Sequence, residues 1–287
     1  MIKETFYKDR PAVEISNGKI TAKFLPLDGA KIASIKDEEG MEFLAQAKGE
    51  QYRVLGVETN YIDAECSSFD DMFPTIDPCE INSMQYLDHG ESTRREHQFE
   101  IQKDSVKFTC TLDNLNILYE KTAYFEGDAL AVKYTITNKN DFDFPYLWAG
   151  HMMFAGELGS EVVSEFENKF EKEVMFGQAP EKPNALGAFE NNKQWKFYYI
   201  GAITPFECAI KYPLSKKRVN ISFDNQVIKY LGLWMNEGFL NGMYNVAVEP
   251  CSALYDAPNK AKETCSFIPA GDKIEFTLKI NIEKERK

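Results

Sequence analysis

Apolar and polar residues alternate along most of this chain with a period of two, the pattern of strands that bury one face. Val13-Glu-Ile-Ser leads into Asn17-Gly18, a dipeptide suited to a tight hairpin turn, and then into Ile20-Thr-Ala-Lys-Phe-Leu. Asp28-Gly29 turns the chain into Lys31-Ile-Ala-Ser-Ile35, and Glu39-Gly40 turns it into Met41-Glu-Phe-Leu44. An antiparallel meander is predicted over this stretch. Strand patterns resume at residues 98–102, 105–112, 117–125 and 129–137, followed by the apolar run Phe144 to Phe154. Further strands are predicted near residues 195–200, 207–212, 218–223, 230–235, 244–249 and 273–282. The rhythm fails in residues 46–97 and 155–194. The first of these holds Gly49, Gly56, Pro74, Pro78 and Gly90, but also Phe69, Met72, Phe73 and Tyr86, so long ordered loops over one face are expected. No apolar 3.6-residue period persists for a dozen residues. About fifteen or more strands without a linker predict an all-β protein, a large antiparallel β-sandwich formed by residues 1–287 as one domain, because open sheets rarely exceed about ten strands before splitting into layers.

Composition narrows the function. Hydrophobic residues at 44% and aromatics at 13% supply a substantial core. A net charge of -12 repels phosphate backbones and anionic lipid, so neither a nucleic acid nor a membrane is expected as partner. The start, Met1-Ile-Lys-Glu-Thr-Phe, lacks the apolar core of a signal peptide. The six cysteines are scattered without a CxxC pair, which favours reduced thiols and a cytoplasmic location.

The chemistry-bearing candidates are few. In Tyr244-Asn-Val-Ala-Val-Glu249-Pro-Cys-Ser-Ala253 a strand delivers a carboxylate at its end, and Pro250, which has no N–H, is predicted to stop the pairing there. His151 sits in the apolar run beside Gly150, and His89 in the polar turn Asp88-His89-Gly90-Glu91. His97 reads as a surface residue before a strand. Each has an ordinary structural explanation when taken alone: a solvated acid, a core histidine, loop histidines. Widely spaced histidines make no metal signature, so no metal and no cofactor is expected, and neither nucleotide-binding motif nor GxSxG elbow is present. Trp148, Trp234, Phe69, Phe73 and Tyr255 could offer flat faces to a sugar ring, although most such residues are core. Asp70-Asp71-Met72-Phe73-Pro74-Thr75 sets an apolar wedge among acids in the long irregular segment.

Together these pieces resemble the aldose 1-epimerase (galactose mutarotase-like) superfamily. Gly29-Ala30 before an alternating strand is similar to the family's opening, and Asp70 to Thr75 to its loop ending in an aromatic-Pro pair. Asp88-His89-Gly90 is similar to its His-Gly motif, Gly150-His151-Met-Met-Phe154 to its His-x-x-Phe motif, and Val246-Ala-Val-Glu249-Pro-Cys251 to its hydrophobic-Glu-Pro signature. The resemblance implies a β-supersandwich and the interconversion of α and β anomers of an aldose. It assigns Glu249 as the base on the anomeric hydroxyl, His151 as the acid on the ring oxygen, and His89 as a group holding the sugar. Here the segment reads His89-Gly90-Glu91, with Arg94 and Arg95 following instead of an upstream Arg. Asp71 and Asn236 are the candidates for the sugar-binding polar group, with Phe73, Arg94 and Trp234 beside them. For proton exchange in both directions, Glu249 is expected ionised and His151 protonated, each favouring the other's charge. Other readings stay open: a hexose-6-phosphate epimerase using Arg94 or Arg95, a non-catalytic carbohydrate-binding protein, or a glycoside hydrolase or lyase, which would want a second carboxylate. The partner is expected to be a small-molecule sugar; no motif specifies which sugar or the oligomeric state.

Overall fold

The computed structural model describes residues 1–224 and 227–285. Two large antiparallel sheets stack face to face. The ten-stranded sheet runs Ile2–Tyr7, Arg10–Ser16, Ile20–Leu25, Lys31–Asp37, Phe69–Met72, Ala149–Ala155, Tyr244–Cys251, Tyr230–Glu237, Lys193–Ile200, Glu171–Gly177. The eight-stranded sheet runs Glu161–Val163, Phe206–Tyr212, Lys217–Phe223, Lys273–Lys284, Ala129–Asn138, Ile117–Glu126, Ser105–Leu112, Gln98–Ile101. Alternation decides which side chains meet between them. In Ser105–Leu112, for example, Val106, Phe108, Cys110 and Leu112 are buried while Lys107 and Thr111 lie nearer solvent. Trp148 sits edge-on to Phe276 and Tyr134, with ring centroids 4.8 and 5.1 Å apart, at the centre of this interlayer core.

A second apolar cluster lies on the other face of the ten-stranded sheet. It joins Met72, Met153, Tyr198, Trp234 and Ala247 to the loop residues Tyr61, Ile76, Leu254 and Ala261. The central strands are therefore buried on both faces, which is why they read as nearly continuous apolar runs. No helix among the described residues is long and apolar enough to cross a membrane.

Several local expectations are corrected. Ile2–Tyr7 forms an edge strand paired with Arg10–Ser16, so the meander begins before Val13. Residues 41–44 make only the isolated bridges Lys36–Glu42 and Leu44–Phe154, because the Glu42 carboxylate folds back onto Ser34 Oγ and the amides of Ile35 and Leu44. Residues 46–97 hold a central strand, Phe69–Met72, and a hairpin, Cys79–Ile81 with Met84–Tyr86. Residues 155–194 hold Glu161–Val163 and Glu171–Gly177. The apolar run breaks at Leu147-Trp148: Phe144–Tyr146 pairs with Ser266–Ile268 before Ala149–Ala155 enters the sheet. Pro250 does not end its strand. Leu231 still pairs with Pro250 and Tyr230 with Cys251, while the ladder to the Ala149–Ala155 strand skips from Val248 to Cys251.

Candidate active site

On the outer face of the ten-stranded sheet, alternate positions of six neighbouring strands bring together Lys31, Asp70, His151, Glu249, Trp234 and Lys196. Asp70 stands opposite His151, Glu249 opposite Gly232, and Trp234 opposite Lys196. His151 Nε2 lies 3.6 Å from Glu249 Oε1. The imidazole is flanked by Trp234 at 5.9 Å, Tyr61 at 5.7 Å and His89 at 6.0 Å between ring centroids. His89 stacks flat on Tyr61 at 3.9 Å and places Nδ1 2.8 Å from Asp88 Oδ1. Next in the turn, Gly90 packs directly on the Phe73 backbone: a Cβ there would stand 2.5 Å from the Phe73 amide nitrogen.

Charge at the site comes from a residue that motif reading missed. Lys196 Nζ stands 2.7 Å from Glu249 Oε2 and 2.6 Å from Asp256 Oδ1, which also accepts from the Tyr198 hydroxyl at 2.8 Å. The contact with Glu249 is one of distance and charge, since neither Glu249 oxygen receives an aligned hydrogen bond. Gly232 lies between Tyr198 and Glu249 in register, and its missing side chain lets the Tyr198 ring lie close over the strand: a Cβ there would stand 3.0 Å from that ring. At the other end of the row, Lys31 pairs with Asp70 at 2.6 Å, and the Tyr61 hydroxyl donates to the same Asp70 oxygen at 2.7 Å.

Glu249 is 1% exposed and His151 5%, so the pair is covered by the loops above it rather than lining an open cleft. Burial pushes the Glu249 carboxyl above its ordinary range, with Lys196 pulling it back down. His151 is held well below the usual histidine range, first by burial and then by His89, Lys196 and Lys31. Burial opposes the charge on Lys196, but Glu249 and Asp256 outweigh it and raise its pKa. Asp256 is lowered because Lys196 and Tyr198 outweigh its burial. Burial and the neighbouring cations thus work against the expected imidazolium at His151, and Lys196 stands as a second cationic partner beside Glu249.

Other candidates are also relocated. Asp71 points between the sheets, where Lys121 and the Tyr134 hydroxyl pair with it. Consecutive strand residues face opposite sides, so with Asp70 toward the site Asp71 cannot be. Phe73 is packed in the interlayer core against Tyr119, Phe144 and Tyr146. Arg94 is engaged by the backbone carbonyls of Gly56, Val57, Thr59 and Asp88, and its side chain is 2% exposed. Asn236 ties its own hairpin, bonding both backbone groups of Leu240 and the Asn245 side chain. His97 is buried beside Tyr119, not on the surface. Trp234 and His89 do adjoin His151 and Glu249. All six cysteines are unpaired, and burial followed by Glu249 pushes the Cys251 thiol well up.

Lys196 carried one weak signal in the sequence: it interrupts the aromatic run Trp195 to Tyr199, and a charge set within an apolar strand needs a partner. Asp256 and Tyr61 carried none.

This architecture is the galactose mutarotase-like fold. A protein from Klebsiella pneumoniae subsp. pneumoniae bearing a provisional aldose 1-epimerase name superposes with a TM-score of 0.78 at 12% identity, covering 99% of this chain and 83% of that one. The Slr1438 protein of Synechocystis gives 0.71 at 13% identity, with 99% and 100% covered. A galactose mutarotase-like protein from Lactobacillus casei gives 0.69 at 16%, with 95% and 100% covered. No protein-family model matches the sequence, and no curated protein matches it.

Proposed function

We propose that this protein is a mutarotase-like isomerase that interconverts the α and β anomers of an unphosphorylated aldose, with Glu249 as base and His151 as acid. The observation that carries this reading is the juxtaposition of Glu249 Oε1 and His151 Nε2, 3.6 Å apart on adjacent strands of this fold. That gap is too long for a hydrogen bond between the two groups, but short enough for them to serve the C1 hydroxyl and the ring oxygen, which are both bonded to the one anomeric carbon. Glu249 takes the proton of the C1 hydroxyl as the ring C1–O bond opens, and His151 supplies a proton to the ring oxygen. Rotation about C1–C2 and the reverse transfers then give the other anomer. The preference for an unphosphorylated sugar is supported by Arg94, whose guanidinium is engaged by backbone carbonyls, and by Lys31 and Lys196, each already facing a carboxylate.

Anomer exchange followed by saturation-transfer NMR across a panel of aldoses and 6-phosphoaldoses tests the reading. Glu249→Gln and His151→Asn are each expected to slow exchange by about 10²–10⁴-fold. Exchange at the uncatalysed rate for every sugar would sink it and leave sugar binding as the lead; a response confined to 6-phosphosugars would replace the substrate class.

A further inference from the structure

We infer that the acid–base pair operates as a carboxylate and a neutral imidazole, with Lys196 supplying the positive charge and acting as the positioning residue for Glu249. The inference rests on the anomer-exchange reading for its consequences in catalysis, but its geometry stands alone.

An imidazolium has two N–H donors and needs two acceptors. His151 offers neither nitrogen a hydrogen-bonding partner: Nδ1 is buried without one, and Nε2 meets Glu249 Oε1 only at 3.6 Å. A charged ring would leave a buried donor at Nδ1 unsatisfied, whereas the neutral Nε2–H tautomer leaves no buried unpaired donor there and keeps its one N–H on the Glu249 side, for the ring oxygen of a sugar. The Glu249 carboxylate, for its part, already has a cation. Lys196 touches Oε2 at 2.7 Å and leaves Oε1 as the open basic atom on the His151 side.

The groups around the pair come from several elements. Lys196 and Tyr198 face it from one strand, Asp256 from the segment after Cys251, and Tyr61, Asp88 and His89 from the covering loops. Lys31 and Asp70 face it from the remaining strands. Lys196 balances one of the two carboxylates it bridges, and Asp256 also takes the Tyr198 hydroxyl.

The proton inventory closes without an imidazolium. Glu249 Oε1 accepts the C1 hydroxyl proton, the C1–O bond to the ring oxygen breaks as the C1 carbonyl forms, and the His151 Nε2–H proton passes to the ring oxygen. The ring is left transiently anionic, and the nearby Lys196 ammonium lowers the cost of that charge by simple attraction. Ring closure returns both protons.

Three measurements decide it, with Lys196→Met and Lys196→Arg beside the wild type. Nitrogen-15 NMR of labelled histidines, with His151→Asn to assign the signal, is expected to show His151 holding one proton from pH 8 down to pH 5; a doubly protonated ring at pH 6 would overturn the inference. In anomer exchange, the wild-type kcat/KM is expected to lack a limb near the ordinary histidine pKa of about 6.5. Lys196→Met should move the acid limb upward, so that the rate falls at least about tenfold at pH 6 and partly recovers by pH 8, while Lys196→Arg keeps the wild-type limb. A loss equal at every pH in Lys196→Met would mark Lys196 as merely structural and defeat the proposal. If the wild type exchanges no aldose, the functional reading fails, and the NMR result still decides the charge state.

Discussion

Lowering the pH from 7 to 5 should destabilise this protein through His97, a residue outside the candidate active site. His97 is 3% exposed, its Nε2 lies 3.4 Å from the Ser92 carbonyl oxygen, and its Nδ1 is buried without a partner. Burial, with Lys121 adding to it, holds its pKa down to about 3. In the unfolded chain the same ring titrates near about 6.5. Between those values the unfolded state binds one more proton than the native state, so stability rises with pH through the window and is lost as pH falls below about 6.5. The slope is about 1.4 kcal/mol per pH unit, which from pH 7 to pH 5 amounts to about 2 kcal/mol for this one ring. His151, also held neutral by burial, contributes in the same direction. Urea unfolding of wild type and His97→Phe at pH 7, 6 and 5 isolates the effect, because Phe keeps a buried ring without a titrating site. The stability of His97→Phe relative to wild type should improve by about 2 kcal/mol between pH 7 and pH 5. Parallel curves for the two proteins would refute the reasoning.

Two further outcomes test the relocated residues. Asp71→Ala removes one partner of the buried Lys121–Asp71 pair and should cost about 3–5 kcal/mol in urea unfolding, with Asp71→Leu/Lys121→Met recovering much of that; a single-variant loss below about 1 kcal/mol would show the pair is not desolvated as described. Arg94→Met frees the carbonyls of Gly56, Val57 and Thr59, so trypsin should cut faster at the half-exposed Arg53, detected by mass spectrometry; unchanged cleavage would mean Arg94 does not hold the covering loop.

Strand existence was readable along the chain because each strand with one buried face writes its own period of two. Ile20–Leu25, Ser105–Leu112 and Ala129–Asn138 fell where alternation put them. One failure has a clear cause. Phe69–Met72 looked like loop because Asp70 and Asp71 break its apolar pattern, yet both acids are buried in a central strand because Lys31 and Lys121, distant in sequence, neutralise them from opposite sides of the sheet. The motif residues Glu249, His151 and His89 could be named from their local sequence. Which charges meet them could not, because Lys196 reaches Glu249 from a strand two places away in the sheet, and Asp256 joins from the segment beyond. Sequence by itself determined the all-β class and the carriers of candidate chemistry, since periodicity and residue type are local properties. Tertiary structure alone decided that Asp71, Phe73, Arg94 and Asn236 are engaged elsewhere and that Lys196 is the cation beside Glu249, because pairing across a sheet depends on strand order and facing, which no single segment encodes.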